Sequence, residues 1–413
     1  MTEFTLPESW SESTLVDCAN FIDYRGKTPK KTAEGIPLIT AKNIRNGFIN
    51  RQPREFIAES DYDSWMTRGI PCVGDVVITT EAPLGNVAVI DIEEKFALAQ
   101  RSICLQSYVS ETSRFIHYAL RSPEFQKALT LNATGTTVSG IKAATLKTLR
   151  LPVPPLSEQK IIAQKLDTLL AQVESTKARL ERTRETLKRF RQSVLAAAVS
   201  GKLIGIEGAS NKEQYKKFED ILKDRKQLSY GVLKPGDFDR DGVPMVRVMD
   251  VSDRGGFNKT DIFKISKQLS DEFKRTVVNE GDIILSVMAT TGRAAIIPTE
   301  LSGANVNRAL AVIKLSAEVL PKFILFQLLS PKFQEAFVEK QIGTAQKRIN
   351  LADLRKFDTW VPDMAIQKTV VTRVEQLFAH ADTIEKQTEV ALARVNNLTQ
   401  SILAKAFRGE LTA

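Results

Sequence analysis

The sequence contains an internal repeat, and this repeat limits the possible folds more than any other feature. Three matched pairs of segments lie 207 residues apart: Gly35–Ile39 with Gly242–Val246, Gly74–Thr79 with Gly281–Ser286, and Gln100–Ser102 with Asn307–Ala309. After one inserted residue the offset becomes 208, as in Ser122–Gln126 with Ser330–Gln334. Chance does not hold one offset over so many separated matches. The chain is therefore two copies of one module of about 205 residues.

The first part of each module has the pattern of a mixed domain. Short β-branched runs predict strands at Val76–Thr80, Val87–Ile90 and Ile283–Val287. A helix is predicted over Phe115–Leu129, and its repeat partner over Phe323–Val338. Strands and helices in this mixture indicate an α+β domain of roughly 150 residues in each module.

The second part of each module predicts one long helix. Ser157 follows a proline-rich stretch as an N-cap, and neither Pro nor Gly interrupts the chain until Gly201. The matching segment runs from Ile366 to Arg408, before Gly409. A helix of about 44 residues is roughly 65 Å long.

Apolar or small residues recur along both predicted helices in alternating steps of four and three, which is a heptad seam. The first seam comprises Ile162, Leu166, Leu169, Val173, Thr176, Leu180, Thr183, Leu187, Phe190, Val194 and Ala197. The second comprises Val370, Val374, Leu377, Ala381, Ile384, Thr388, Ala391, Val395, Leu398 and Ile402. Two such seams on one chain predict an antiparallel coiled coil, with the two modules related by a pseudo-twofold axis. A simple packing pair between two domains is the alternative.

These patterns divide the chain into four parts. We expect a first globular domain at 1–155 (head 1), a long helix at 156–208, a second globular domain at 209–363 (head 2), and a second long helix at 364–413. A twofold pair of heads held one or two DNA turns apart, at about 34 Å per turn, suits a two-part site.

Charge and composition agree with a polyanion-binding protein but do not by themselves establish one. The net charge is +9, from 58 Lys and Arg against 49 Asp and Glu. No apolar run approaches the ~18 residues of a membrane helix, so we expect a cytoplasmic protein without a membrane partner. Cys18, Cys72 and Cys104 lack metal-ligand spacing and are expected to be small, reduced core residues.

The sequence lacks the motifs of a catalytic or cofactor site. The two histidines, His117 and His380, lie on different predicted helices without a cluster of further ligands. No phosphate-binding glycine loop and no methyltransferase motif is present. The Glu-x-Lys spacing at Glu93–Lys95 is common by chance. We therefore expect no cofactor and no catalytic residue, with catalysis supplied by partners.

Several segments resemble the specificity subunits of type I restriction-modification enzymes. They are Leu6–Trp10, the junction Pro154–Lys160, and the helical stretches Lys165–Leu170 and Ala404–Leu411. The last two resemble the enteric K-type branch, type IA. The resemblance covers the full length, and it is most specific in the helices and weakest in the heads.

The resemblance implies a non-catalytic, DNA-reading subunit. Each head would be a target recognition domain for one half of a split double-stranded DNA site. The helices would set the spacer and dock two methyltransferase (modification) subunits. Those partners would use S-adenosylmethionine to methylate adenine N6, and motor-nuclease (restriction) subunits would add ATP-driven translocation and cleavage.

Direct readout of base edges favours Arg, Asn, Gln, Thr and Ser on loops that reach into the groove, and each selected residue has an ordinary surface or turn role as its alternative. In head 1 the predicted DNA-binding residues are Lys42, Arg45, Thr79, Thr80, Gln100 and Arg101. In head 2 they are Arg247, Thr290, Thr291, Arg293, Asn307, Arg308, Lys347 and Arg348.

Two rival functions remain open at this level. A coiled-coil adaptor would bridge two protein partners and show no salt-dependent duplex binding. A single-chain transcriptional regulator would bind a pseudo-palindrome tightly without any partner. A type I specificity subunit needs modification subunits for tight binding.

Overall fold

The computed structural model describes residues 6–24, 28–135, 138–206, 214–224, 228–232, 234, 236–258, 261–343 and 348–411. Its contacts divide the chain into two compact units. Unit 1 is Met1–Glu181 with Val390–Ala413, and unit 2 is Arg182–Glu389. Each unit therefore contains one head together with a part of each long helix.

The elements that begin in unit 1 alternate short strands and helices before the first long helix. They are β1 Ser11–Thr14, α1 Leu15–Cys18, β2 Ala19–Asp23, β3 Lys31–Thr32, β4 Ile36–Ile39, β5 Phe56–Ile57, α2 Tyr62–Trp65, β6 Val76–Thr80, β7 Leu84–Val89, β8 Ala97–Leu98, β9 Ser102–Ser107, α3 Ser113–Arg121, α4 Pro123–Leu131, α5 Ala143–Thr148, β10 Arg150–Val153 and α6 Leu156–Val199.

Unit 2 follows the same order from its first strand to the second long helix, except that its described residues form no counterpart of α1 or β3. Its elements are β11 Tyr215–Lys217, β12 Ser229–Tyr230, β13 Val243–Val246, β14 Phe263–Ile265, α7 Lys267–Glu272, β15 Ile283–Ser286, β16 Ala294–Ile296, β17 Asn305–Val306, β18 Leu310–Ile313, α8 Pro321–Leu328, α9 Pro331–Glu339, α10 Leu351–Arg355, β19 Asp358–Trp360 and α11 Met364–Ala406.

Each head is built on a four-stranded antiparallel sheet that is buried on both faces. The strand order is β2-β9-β6-β7 in unit 1 and β12-β18-β15-β16 in unit 2. Along β6, Val76 and Ile78 enter one hydrophobic core and Val77 enters another. This alternation follows from the two-residue period of a strand, and it explains why β6 has apolar residues at successive positions.

A second sheet in each head contains a parallel pair of strands. Leu38 of β4 lies opposite Ala97 of β8, and Met245 of β13 lies opposite Asn305 of β17. In each head, a strand late in the sequence thus pairs with an earlier one: β8 with β4 in head 1, and β17 with β13 in head 2. The α+β class predicted for the modules is correct.

The single helix predicted in each head is two helices. Phe115–Leu129 is divided between α3 and α4, and Phe323–Val338 between α8 and α9. The cause is a Ser-Pro step, because proline fits the first turn of a helix and not its interior. The Ser122 hydroxyl also accepts a hydrogen bond from the Phe125 amide at 3.3 Å and so caps α4.

The two long helices begin slightly earlier than the sequence predicted. Ser157 lies within the first turn of α6 rather than at its cap, because the Pro155 carbonyl already accepts from Glu158 N at 2.9 Å. Asp363 Oδ1 accepts from Ile366 N at 2.8 Å at the start of α11. After the helices, Gly201 and Gly409 have φ values of +75° and +81°, which L-residues rarely adopt.

Within each unit the long helices run antiparallel. In unit 1 Lys165, near the start of α6, donates through Nζ to the Leu411 carbonyl beyond the end of α11 at 2.6 Å. In unit 2 Arg191, in the later part of α6, pairs with Asp382 in the earlier part of α11, also at 2.6 Å. The predicted antiparallel coiled coil is therefore correct.

The predicted seam is only partly buried. Leu166 and Val374 have no exposed surface, whereas the side chains of Phe190, Ile384 and Leu398 are 38%, 44% and 43% exposed. Thr176 is also exposed. The predicted seam is therefore not buried at these four positions, and two of them, Thr176 and Ile384, lie near the middle of their helices.

An ion pair at equivalent positions of the repeat fastens each head to a long helix. Arg114 of α3 contacts Asp167 of α6 at 2.5 Å, and the hydroxyl of Tyr118 donates to the other oxygen of Asp167 at 2.6 Å. In unit 2 Lys322 of α8 pairs with Glu375 of α11. The two pairs lie 208 positions apart in the repeat. The contact between head and long helix is therefore repeated along with the helices and strands.

The cysteines differ in environment, and none of them is in a disulfide. Cys104 is buried, and burial raises the pKa of its thiol well above the usual value. Cys18 is half-buried, and Cys72 is exposed in the loop before β6, so the expectation of a core residue was wrong for Cys72. Within the described ranges, no helix combines the length and the apolar character needed to cross a membrane.

Candidate nucleic-acid interface

Three backbone segments meet at one edge of the central sheet in head 1. The Thr80 amide, at the end of β6, donates to the Arg101 carbonyl at 2.9 Å. The Thr80 carbonyl accepts from the Ile141 amide at 3.0 Å. Gly140 pairs with both Glu81 and Thr134 as isolated bridges. The end of a strand, a two-residue turn and the segments around Thr134 and Gly140 are thus joined by backbone hydrogen bonds into one edge.

This edge encloses a cleft of ≈ 310 Å³. The side chains that line it are mostly polar or basic. They are Thr80, Glu81, Gln100, Arg101, Thr134, Val138, Gly140, Ile141 and Lys142. The structure therefore brings together three of the residues predicted from the sequence, Thr80, Gln100 and Arg101.

Arg101 is held in an unusual conformation at the mouth of this cleft. Its φ is +73°, a region in which non-glycine residues are uncommon. Its Nε lies 2.9 Å from Oε1 of Glu81, and about half of each side chain is exposed. Arg101 is thus an exposed guanidinium whose direction is fixed by its backbone and by one carboxylate.

Head 2 builds the same edge from different side chains. The Val287 amide donates to the Ala309 carbonyl at 2.9 Å, and the Val287 carbonyl accepts from the Ile349 amide at 2.9 Å. Arg348 pairs with both Met288 and Ile342 as isolated bridges. Backbone bonds are therefore repeated between the heads while the exposed side chains differ.

The strand registers correct the repeat alignment in this region. Ala97 pairs with Leu38, and Asn305 pairs with Met245, so the offset is already 208 at residue 97. It is still 207 at Ile90, whose amide bonds to Asp75 as that of Ile297 does to Asp282. The extra residue of head 2 lies in the loop between these points.

As a result, Gln100 corresponds to Arg308, and Arg101 corresponds to Ala309. The sequence alignment that matched Gln100–Ser102 with Asn307–Ala309 at 207 was wrong. The dipeptides Gln100-Arg101 and Asn307-Arg308 are similar, and matching them shifted the sequence alignment by one residue from the register seen in the structure.

Thr79 lies beneath the cleft, and Thr80 lines it with a side chain that is almost fully buried. Thr79 has no exposed surface, and its hydroxyl accepts from the Asn86 amide at 2.9 Å. Ser286 does the same for the Arg293 amide at 2.8 Å. Thr80 is 2% exposed. A buried hydroxyl cannot reach a base edge, so direct base contact by these two threonines does not fit the structure.

Lys42 and Arg45 lie on a separate exposed loop of head 1. The loop is closed by a bridge between Ile44 and Ile49, and Asn86 Nδ2 donates to the Ile44 carbonyl at 2.9 Å. Both cations are therefore presented to solvent from a loop that is tied to β7.

Four predicted residues of head 2 already have structural partners. Arg247 contacts Asp250 at 3.2 Å, and Arg293 contacts Asp253 at 2.5 Å. The Thr291 hydroxyl accepts from Gln341 Nε2 at 2.5 Å, and Asn307 Oδ1 accepts from the Ala309 amide at 3.2 Å. These contacts favour turn-stabilising roles for the four residues.

The remaining predicted residues of head 2 are exposed. Thr290, Arg308 and Arg348 all present their side chains to solvent. Within the ranges given above, Arg308 and Arg348 have no ion-pair partner, so both guanidinium groups can contact a ligand. Lys347 lies outside the described residues.

The family was determined by comparison with known proteins. A family model, described as the type I restriction modification DNA specificity domain, matches the chain twice, at residues 7–183 and 216–394. The chain belongs to the type I restriction-modification DNA specificity family. Each match covers one module of the repeat, so the duplication seen in the sequence is a duplication of this domain.

Named relatives place the chain in the enteric branch of the specificity family. It is 37% identical to the type I restriction enzyme EcoBI specificity subunit of Escherichia coli, over 99% of this chain and 88% of that protein. It is 34% identical to the EcoKI specificity subunit of Escherichia coli strain K12, over 100% and 91% respectively. The resemblance inferred from the sequence is confirmed, and the role is that of specificity and not of catalysis.

A solved structure supports the fold over the full length. A chain from work on complex assembly and conformational transition of the type I R-M system superposes with a TM-score of 0.75. The match covers 98% of this chain and 100% of that chain, at 19% identity. The fold of this specificity subunit, with two α+β heads and two long helices, is therefore similar to that of the solved chain.

Sequence reasoning missed Glu81, Thr134 and Lys142 of the cleft. Lys142 and Thr134 are exposed in the segment between α4 and α5, which carries no motif of its own. Glu81 is a carboxylate and lies outside the residue types selected for base contact. The signal that could have found all three is the backbone hairpin around Gly140, which is visible only in three dimensions. Among the described residues, no three His, Cys, Asp or Glu side chains could hold a metal ion.

Proposed function

We propose that each head of this specificity subunit reads one half of a two-part double-stranded DNA site. The observation that carries this proposal is the repeated sheet edge, which presents exposed basic side chains in both copies of a DNA specificity domain. Arginine and lysine on rigid loops suit base edges and phosphates. The net charge of +9 favours association with a polyanion.

We propose head 1 at 1–155 and head 2 at 209–363, with the two long helices between and after them as the element that sets the spacer. Each unit contains a part of both helices, and the equivalent pairs Arg114–Asp167 and Lys322–Glu375 fasten its head to one of them. A surface that occurs twice accepts two copies of one partner. Two methyltransferase subunits would dock in this way, and restriction subunits would join the same cytoplasmic complex.

Two rival functions predict different binding behaviour. A protein-bridging adaptor would show no salt-dependent binding to duplex DNA, whereas phosphate contacts give a steep salt dependence. A transcriptional regulator would bind its site tightly alone. We expect the chain to gain tight, specific binding only when methyltransferase subunits are present.

The decisive experiment exchanges one head. Residues 1–150 are replaced by the equivalent head of a relative, the chain is co-expressed with the methyltransferase subunits of its own system, and genomic methylation is sequenced on single molecules. One half of the methylated motif should change while the other half and the spacer length remain, because separate domains contribute independently. A simultaneous change in both halves would contradict the two-reader model.

A further inference from the structure

Glu81 is a carboxylate on a surface that, under the proposed function, faces a polyanion. Its side chain is 42% exposed and lines the cleft of head 1 beside Arg101 and Lys142. A carboxylate directed at phosphates is repelled. It is compatible with DNA where it meets a donor, and the exposed donor of cytosine in the major groove is its N4 amino group.

The Glu81–Arg101 pair leaves the groups needed for base recognition unused. The ion pair joins Arg101 Nε to Glu81 Oε1 at 2.9 Å. In the part of the chain that the structure describes, neither side chain has a second ion-pair partner. The two terminal nitrogens of Arg101 and Oε2 of Glu81 therefore remain for a ligand. Two guanidinium N–H groups match guanine O6 and N7, and a carboxylate oxygen matches cytosine N4.

The backbone of Arg101 adds an independent observation. Its φ of +73° is costly for a residue with a Cβ. Ala309 occupies the same place in the turn of head 2, and it is not among the described residues with positive φ. The turn itself does not require this conformation. The positive φ of Arg101 directs its side chain across the cleft toward Glu81.

In head 2 other residues occupy the two positions of this pair. Met288 and Ala309 replace Glu81 and Arg101, while Arg308 and Arg348 are exposed nearby. The two heads thus present different chemistry from the same backbone edge. This is what two readers of different half-sites require, since a shared scaffold must place unlike side chains at matching positions.

We propose that Arg101 and Glu81 together read one C·G base pair in the half-site of head 1, with Arg101 on guanine and Glu81 on cytosine. Glu81 also fixes the direction of the guanidinium before DNA arrives, which lowers the conformational entropy lost on binding. This inference rests on the proposed function, and it assigns a base pair to two residues of the cleft.

The test uses the whole chain co-expressed with its own methyltransferase subunits, with genomic DNA as the probe and single-molecule methylation sequencing as the readout. Arg101→Lys keeps the charge and removes the two-pronged donor. Glu81→Ala removes the acceptor. Each variant should relax discrimination at the same single C·G position of the head 1 half-site, by about 10- to 100-fold. The half-site of head 2 and the spacer should not change.

A second exposed ion pair of the same head provides the control. Arg150 Nη1 lies 3.0 Å from Glu12 Oε2 on the paired strands β10 and β1, away from the cleft. Arg150→Lys and Glu12→Ala should leave the methylated motif unchanged.

Different results would contradict the base-reading proposal and the proposed function. If the unaltered chain supports methylation of a two-part motif but Arg101→Lys leaves every position unchanged, Arg101 binds a phosphate or the protein, and the base-reading proposal is wrong. The proposal also fails if the head 1 half-site contains no C·G pair. If the unaltered assembly methylates no two-part motif, it is the proposed function that fails.

Discussion

The guanidinium of Arg254 donates to both carboxylate oxygens of Glu385, at 2.7 and 2.6 Å. Arg254 lies on a loop of head 2, and Glu385 lies on α11. Glu385 also accepts from Arg191 of α6 at 3.2 Å, so one carboxylate connects a head loop and both long helices within unit 2. The hydrogen bond from Arg254 lowers the pKa of Glu385, although burial opposes the shift.

We expect Glu385→Gln to destabilise the chain by about 1 kcal/mol at neutral pH, because the charge-assisted bonds from Arg254 and Arg191 are weakened at a partly exposed site. A carboxyl whose pKa is lowered on folding stabilises above its unfolded pKa, and the effect disappears as the pH falls through its folded pKa. The difference from the unaltered chain should therefore shrink in acid. Urea unfolding at neutral and acidic pH measures both effects.

Glu335→Gln is a suitable control for that measurement, because Glu335 is an exposed carboxyl on α9 of the same unit. It should change stability little at either pH. Equal effects of the two variants would mean that the Arg254–Glu385 contact contributes nothing beyond one surface charge.

His117 provides a second prediction, concerning the pH dependence of unit 1. It is 4% exposed, and Arg121 Nη1 lies 3.0 Å from its Nε2. Burial first, and the charges of Arg121 and Arg114 next, lower the pKa of His117 to about 3. The imidazole is therefore neutral in the folded chain and accepts the hydrogen bond from Arg121.

The unfolded chain binds a proton at His117 near pH 6.5, and the folded chain does not until about pH 3. Stability should therefore fall as the pH drops between these values, by up to about 1.4 kcal/mol per pH unit. His117→Leu, which copies Leu325 of head 2, should remove this slope. Unfolding by urea between neutral pH and about pH 5 tests it.

His380→Leu is the matched control, since His380 is exposed on α11. It should leave the slope unchanged. If His117→Leu keeps the slope of the unaltered chain, His117 is not the group that couples protonation to unfolding.

The elements of the fold were predictable where local chemistry determines them. β6 was predicted with its correct bounds because it is a β-branched run buried on both faces. The long helices were predicted within a few residues because the stretches without Pro or Gly end at Gly201 and Gly409. The Ser-Pro step within the predicted helix Phe115–Leu129 was a local signal as well, and it was overlooked.

Features that depend on distant partners could not be read from the sequence. The register at residue 97 is set by pairing with Leu38, so a one-residue shift in the preceding loop leaves no local trace. Phe190 fits the heptad pattern and is nevertheless 38% exposed, because its burial depends on what lies opposite. The same reasoning explains the candidate site: Arg101 was selected for its residue type, whereas Glu81 becomes relevant only through a contact 20 positions away.

The last prediction concerns the length of the coiled coil. One heptad is inserted after Arg184 in α6 and another after Glu389 in α11, so that the contacts of Glu385 within unit 2 are kept. Seven residues preserve the heptad phase, and each helix becomes longer by about 10 Å. Because DNA rises about 3.4 Å per base pair, we expect the spacer of the methylated motif to lengthen by roughly three base pairs, with both half-sites unchanged.

Two companion variants make this result specific. Replacing the heptad that follows Arg184 with another of the same length and apolar pattern should leave the spacer unchanged, which separates helix length from helix sequence. Inserting four residues into α6 alone adds about 6 Å, rotates the following residues by roughly 40°, and leaves α11 unmatched. That variant should lose assembly with the methyltransferase subunits. A change in helix length should not alter which bases a head contacts. If the double heptad insertion instead altered the half-site bases at constant spacer length, the helices would not set the spacing.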